Sequence, residues 1–478
     1  MTQITTETTL TENGLRPNSL GVAGIVFFVV AAASPLSAVL GSSPAAIGVG
    51  NGAGAPSAYL LAGLLLLVFS VGYAAMSRKV SVGGGFAAYV QAALGERAGR
   101  SAGYLASLAY LAIQAGLYGI FGFFANYIFA DLFHITMDWW AWSLIAWVVA
   151  SLFAYLDIDL SAKVLGVAMI LEVVVLLVVS FSIFFQGGAH GMTAVSFRPS
   201  VVTSGSFGLA MMFAFASFIG FEATAIYSEE ARDRDRTIPR ATYTAVIIIT
   251  LFLVFTVWSF VVGYGANNVK SQALNDPNNF VFSLASRYVS ELWMKIMMVL
   301  LISSFFAALL AFQNTVARYL RILAIRGWAP APLGQTHTRF RSPYIASLFT
   351  SAVSLVAIVV FAALGLDPYT KLFMWFVGVG TLAILVLQAI TSVSVAVYFR
   401  REPSDHSLWR TLIAPIVGAV GLVVATVLVL QNWSAMVGAS GGFSHVLPWV
   451  IPLVVVIGLI VPLSKRTLAN SAAQSSNS

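Results

Sequence analysis

The chain of 478 residues contains no cysteine, so disulfides, thiolate metal sites and cysteine nucleophiles are excluded. Charge is scarce: Asp, Glu, Lys and Arg together make up 9% of the chain, where a soluble domain carries about 25%. Five scattered histidines show no metal-ligand spacing, so no metal is expected. The longest stretch between apolar runs, residues 264–290, is too short for a soluble domain, which needs about 50 residues or more. Gly83, Gly84 and Gly85 lack the lysine and preceding strand of a phosphate loop, so no nucleotide site is read there. No nucleophile–base pair is evident, and an enzyme is not expected.

What the chain has instead is apolar residues, 59% of the total. Runs long enough to cross about 30 Å of hydrocarbon as helices fall near 18–40, 56–76, 101–130, 139–156, 160–186 and 206–227. Six more lie near 241–263, 291–316, 344–364, 371–399, 408–431 and 446–464. The expected fold is an all-α polytopic membrane protein of about 12 transmembrane helices. The net charge of +7 is spread through the short connections, which argues against nucleic-acid binding and for membrane topology. With the N-terminus inside, twenty basic residues fall in inner segments and four in outer ones, so both termini are expected in the cytoplasm. Residues 1–17 are polar and Thr-rich without a basic run, do not read as a secretory signal, and with 465–478 are expected as disordered cytoplasmic tails.

Two spans carry interruptions. In span 1, small residues from Ala31 to Ser34 lead into Pro35, which cannot donate its amide and clashes with the preceding turn. Span 6 has a small-residue stretch from Ala214 to Gly220, followed by Glu222. Irregular backbone and ionisable groups at membrane depth tend to line cavities. Two broken helices, five spans apart, are what a five-plus-five inverted repeat produces: 18–186 as the first repeat, 206–399 as the second, and 408–464 as two added helices. The plainer alternative is one proline kink and one glycine used for packing. If the helices open, amides around Ala33, Ser34, Leu36 and Ser37 suit a substrate carboxylate, and carbonyls near Phe215, Ala216 and Ile219 suit an ammonium.

Of the 18 acidic residues, only Glu172 and Glu222 sit well inside a span. Glu172 lies 12 residues into span 5, about 18 Å along it. Desolvation at that depth favours the neutral carboxyl, which suits a proton carrier; a hydrogen-bonded structural glutamate is the alternative.

The ordered set Gly220, Phe221 and Glu222, then Glu229 and Glu230, then Ile238, Pro239, Arg240 and Ala241 resembles the sixth helix and following loop of the amino acid-polyamine-organocation (APC) permeases. The resemblance runs over roughly 18–400 and includes Gly83 to Phe86 with Tyr89, Gly103 and Tyr104, Ser161 with Lys163, and Asn314, Arg318, Gly327 and Pro330. It implies a leucine-transporter-type fold and a secondary transporter of amino acids or amines working by alternating access, with no cofactor. By the same resemblance Tyr110 and Tyr118 face the substrate, although lone aromatics in apolar helices are commonly core. Ala216 stands where some relatives place a gating Trp, which passes gating to Phe215 or Phe218. Glu222 matches a glutamate that senses protons or holds the inner gate, and Glu172 stands where many proton-coupled relatives carry lysine. Ser303 and Ser304 match the hydroxyl ligands of sodium-coupled relatives, or are packing serines.

The expected activity is proton-coupled uptake of small, neutral amino acids across the plasma membrane, with sodium coupling open. A polyamine or organic-amine permease and an amino acid exchanger are the alternatives within transport; a channel or membrane sensor is the alternative of another class. The outer segment Asp131 to Asp138 has no cysteine, so no disulfide-linked partner subunit is expected. The lipid bilayer and a small-molecule substrate are the expected partners.

Overall fold

In hydrocarbon the backbone has no water to bond, so apolar runs of this length satisfy their amides within helices. A computed structural model describes residues 21–80, 85–156, 162–222, 224, 231–337, 342–402, 407–438 and 442–461. The tails expected as disordered, Gly83 and Gly84, Ser161, and Glu229 with Glu230 lie outside the described residues. Every element among the described residues is helical. In chain order they are α1 (Val22–Ala32), α2 (Pro35–Ala45), α3 (Ala55–Ser77), α4 (Gly85–Leu94), α5 (Glu96–Phe133) and α6 (Trp139–Tyr155). Then come α7 (Ala162–Phe185), α8 (Pro199–Val202), α9 (Phe207–Ala216), α10 (Arg234–Tyr264), α11 (Val269–Asn275) and α12 (Phe280–Tyr288). The chain continues through α13 (Glu291–Ile325), α14 (Tyr344–Ala363), α15 (Met374–Arg401), α16 (Ala414–Val437) and α17 (Val450–Ile460).

Among the described residues, eight helical runs are long and apolar enough to cross a membrane, and five shorter apolar helices accompany them. Span 1 is divided into α1 and α2, and span 6 is α9 followed by a turn. The twelve runs read from hydropathy thus correspond to helices or broken helices. Four of these elements lie outside those runs: α4 before span 3, the short α8 between spans 5 and 6, and α11 and α12 within the 264–290 connection. Helix starts follow local chemistry. Ser290 caps α13 by accepting from the Trp293 amide at 3.2 Å. Asp367 accepts from the amides of Tyr369 and Thr370 at 3.1 and 2.6 Å, so span 10 opens on a wide turn, Pro368–Phe373, ahead of α15.

The long α5 is the axis of the bundle, packed against α4, α6, α13, α15 and α17. Apolar exposure is turned outward: Val420, Val423, Val424 and Val427 of α16, and Val167, Ile170, Leu171 and Val174 of α7, are exposed, as lipid contact requires. Inside, contact depends on small residues. A Cβ at Gly63 of α3 would stand 2.2 Å from the Thr250 hydroxyl of α10, so glycine is what lets these helices meet. Arg100, among the twenty basic residues of the inner segments, is 1% exposed, and its Nε donates to the Gly458 carbonyl of α17 at 2.7 Å. It caps the carboxyl end of α17, where a cation is favoured.

Candidate functional site

At the first break Ser34 adopts the left-handed region at φ +43, and Pro35 opens α2, where its missing amide costs nothing. The Ser34 amide still reaches back to the Ala31 carbonyl at 3.1 Å, and the Ala33 amide to Val29 at 3.1 Å. Beyond the proline, the first turn of α2 has no helical partner for its amides, and two side chains from distant helices supply acceptors. The Leu36 amide donates to Glu172 Oε2 of α7 at 3.2 Å, and the Ser37 amide to Ser304 Oγ of α13 at 3.2 Å. The Ser37 hydroxyl donates to the Ser34 carbonyl at 3.0 Å. The amides expected to be open for a carboxylate are therefore occupied, one of them by a carboxylate of the protein itself. Ser304 is fully buried at the break, whereas neighbouring Ser303 is exposed and donates to the Leu300 carbonyl of its own helix at 2.8 Å. One helical step separates serines that point apart.

The second break tightens where an open one was expected. After Ala216, the Phe218 amide donates to the Phe215 carbonyl at 3.0 Å and the Ile219 amide to the Ala216 carbonyl at 3.3 Å, bonds of the narrower three-residue kind. Phe215, Phe218 and Ile219 are buried and Ala216 is half-buried. Gly220 sits at φ +114, which a side chain would strain. Glu222 folds back on this turn: its Oε2 accepts from the Gly220 amide at 2.9 Å and its Oε1 from the Tyr110 hydroxyl of α5 at 2.7 Å. Its backbone carbonyl accepts from the Tyr73 hydroxyl of α3 at 3.1 Å. Tyr110 thus spends its hydroxyl on Glu222. Tyr118, two turns further along α5, is fully buried, and its carbonyl accepts from Ser143 of α6 at 2.8 Å.

Aromatic layers lie beyond each break. Toward the end of the bundle that carries α11 and α12, Phe123 stacks on Tyr369 at 4.9 Å, and Tyr369 stacks on Phe373 at 5.6 Å. The Tyr369 hydroxyl donates to the Gly41 carbonyl of α2 at 3.3 Å. Phe123 also lines a cavity of about 620 Å³, with Asn126, Tyr127, Asp138 and Asn278. Toward the opposite end, Phe221 meets Phe69 at 6.1 Å, Phe69 stacks on Tyr73 at 5.4 Å, and Tyr110 meets Tyr319 at 6.2 Å.

Sequence reasoning missed a glutamine relay beside this site. Gln114 Nε2 of α5 donates to Gln313 Oε1 of α13 at 3.1 Å, and Gln313 Nε2 donates to Ser351 Oγ of α14 at 2.8 Å. Both glutamines are fully buried; two buried amides at this depth were the available signal.

A family model described as amino acid permease matches residues 24–473. The chain is similar to the branched-chain amino acid permease BcaP of Bacillus subtilis (strain 168), 24% identical over 404 residues, covering 81% of this chain and 82% of the relative. It is also similar to the serine/threonine exchanger SteT of the same organism, 24% identical over 311 residues, covering 63% of this chain and 68% of the relative. A third relative is the low-affinity putrescine importer PlaP of Escherichia coli (strain K12), 24% identical over 318 residues, with 63% and 66% covered.

Proposed function

The chain belongs to the amino acid permease family, transporters and not enzymes, and from that premise we propose that it takes up a small, neutral amino acid together with a proton carried by Glu172. The observation that carries this reading is the 3.2 Å bond from the Leu36 amide to the Glu172 carboxyl. A substrate carboxylate is best held by the amides at the start of α2, and ionised Glu172 competes for one of them. Two carboxylates at one amide repel, so the substrate anion and the Glu172 anion exclude each other. Protonation of Glu172 removes that repulsion and weakens its hold on the Leu36 amide. The proton therefore enters before or with the substrate, and one proton accompanies each carboxylate. The reading of Leu36 and Ser37 as carboxylate donors and of Glu172 as carrier stands together.

Glu222, bound by Gly220 and Tyr110, is committed to the second break and offers no counter-ion for a cationic side chain. Buried Phe215, Phe218 and Ile219 favour an apolar substrate side chain. The transport cycle is alternating access in a five-plus-five inverted repeat, in the plasma membrane, with the end of the bundle that carries Arg78, Arg240 and Arg410 facing the cytoplasm. A second reading, uptake of an organic amine, draws on the same Glu172 as a counter-ion; an amine without a carboxylate has no need of the Leu36 amide.

Purified protein in proteoliposomes, given an imposed inward proton gradient without sodium, should accumulate neutral amino acids uphill and ignore diamines. Glu172→Gln should lose uphill uptake while keeping downhill exchange. Wild-type accumulation by Glu172→Gln would overturn the carrier role. Gradient-driven accumulation of a diamine with none of an amino acid would establish the second reading, and a strict need for external sodium at fixed pH would move coupling to Ser304.

A further inference from the structure

Beside the end of the bundle where α10 begins, three elements far apart in sequence bring four arginines around one pocket of about 240 Å³. Arg78 follows the last turn of α3, Arg236 and Arg240 lie in the first two turns of α10, and Arg410 sits in the wide turn Trp409–Ile413 that leads into α16. Tyr243 of α10 forms one wall, and Ala74 of α3 lies on the apolar side. Among the described residues no carboxylate lines the pocket. The recorded ion pair of the group, Arg236 with Asp233 at 3.6 Å, is between side chains that are 76% and 58% exposed, where such a pair contributes little. Among the described residues, Arg78 Nε is buried without a hydrogen-bond partner.

A topology signal requires basic residues on one side of the membrane; it does not require them to converge. Solvated arginines spread apart, because like charges repel and long side chains gain entropy by moving freely. Here they are gathered over the start of α10, whose own positive end adds to the field. A buried guanidinium N–H without an acceptor is costly and calls for one. Planar guanidinium forks match tetrahedral oxyanions, and several of them around a small cavity with one apolar wall match a phosphate carried on an apolar or ester-linked group.

We infer that this pocket is a binding site for a phosphate-bearing anion, with Arg78 and Arg240 its principal donors. The chemistry is shared by the headgroup of an anionic phospholipid and by a soluble phosphate. The inference is independent of the substrate reading and of Glu172.

The test uses the full chain in detergent and in nanodiscs. Native mass spectrometry would count phosphatidylglycerol retained against phosphatidylcholine, and melting would be followed with inorganic phosphate or pyrophosphate against chloride at equal ionic strength. Retention of phosphatidylglycerol, or stabilisation by phosphate beyond chloride, is the expected result, and the arm that responds identifies the source. Arg78→Gln and Arg240→Gln should each weaken the response about tenfold, the loss of one charge-assisted contact. Arg410→Gln, at an exposed position, tests the same pocket if Arg78→Gln melts early without any anion. No response in either arm, or an unchanged response in both Arg240→Gln and Arg410→Gln, would overturn the site.

Discussion

The two broken helices look alike in sequence, each a run of small residues within an apolar span, and they are completed in opposite ways. At the first, the orphan amides of Leu36 and Ser37 are taken by side chains 136 and 267 residues away, on α7 and α13. At the second, the chain closes on itself: tight turns use the carbonyls of Phe215 and Ala216, and Glu222 reaches back to Gly220. A break completed from outside opens when its partners move or change charge. A break completed from within behaves as a unit, anchored here to α5 by Tyr110 and to α3 by Tyr73. On the proposed mechanism this difference separates the two intramembrane glutamates, with Glu172 at an exchangeable junction and Glu222 in a clamp.

The largest effect should follow from neutralising the exchangeable junction. In one-to-one symport, a proton gradient of one pH unit sustains at most about tenfold accumulation of a neutral substrate, before any membrane potential is added. Glu172→Gln keeps an acceptor for the Leu36 amide but cannot cycle a proton, so its accumulation ratio should fall to about one. Radiolabelled uptake in proteoliposomes with and without an ionophore measures this. In the wild type, uptake should rise as external pH falls below internal pH and vanish when the gradient collapses. A Glu172→Gln variant that still follows the gradient would erase the distinction between the two glutamates.

Breaking the clamp should cost stability more than coupling. Tyr110→Phe removes one of the two donors to the Glu222 carboxyl, and a buried acceptor left short of a donor costs about 1–3 kcal/mol. Glu222→Gln keeps one acceptor but can place an amide N–H against the Gly220 N–H. Both variants should melt earlier than wild type in detergent while retaining gradient-driven uptake in the surviving fraction. If Glu222→Gln instead abolishes gradient dependence at wild-type stability, the clamp is itself the proton site.

These contrasts were only partly legible in the chain. The spans were, because hydrocarbon thickness and backbone bonding leave few options, and so was the opening at Pro35, because proline removes a donor wherever it stands. The depth of Glu172 could be counted along its helix. Its bond to Leu36 could not, since helix packing alone decides which face of α7 meets α2. Nor could the bond from the Tyr110 hydroxyl to Glu222, since neither periodicity nor resemblance encodes that pairing. Arg100 was counted as a topology charge because its partners are backbone carbonyls of α17, invisible as residue types. The helices α11 and α12 were missed because short, mixed segments lack the uniform apolar signal that marks a span.

A smaller effect is expected at the other acceptor of the first break. Ser304→Ala leaves the Ser37 amide without its partner, a loss of about 1 kcal/mol, because neighbouring backbone can relax and the serine is neutral. Proton-driven uptake should persist with altered substrate affinity. Loss of coupling in Ser304→Ala, restored by raising sodium, would show that the first break exchanges a cation through Ser304 rather than a proton through Glu172. Ser303→Ala, on the exposed face of α13, is the matched control and should leave both stability and uptake unchanged.

The smallest effect concerns the backbone of the break itself. Ser34 holds φ +43 without being glycine, a conformation that costs an ordinary residue about 1–2 kcal/mol. Ser34→Gly removes that strain but adds freedom to the unfolded and the continuous-helix states, worth about 0.5–1 kcal/mol in the other direction. The two partly cancel, so stability should change by no more than about 1.5 kcal/mol. The Ser34 carbonyl still accepts from Ser37 and from the Ala38 amide, and the acceptors on Glu172 and Ser304 are untouched. Uptake should therefore stay near wild type. A Ser34→Gly variant that loses uptake while keeping its stability would show that the serine hydroxyl takes part at the break, and that its completion from α7 and α13 is not the whole of its chemistry.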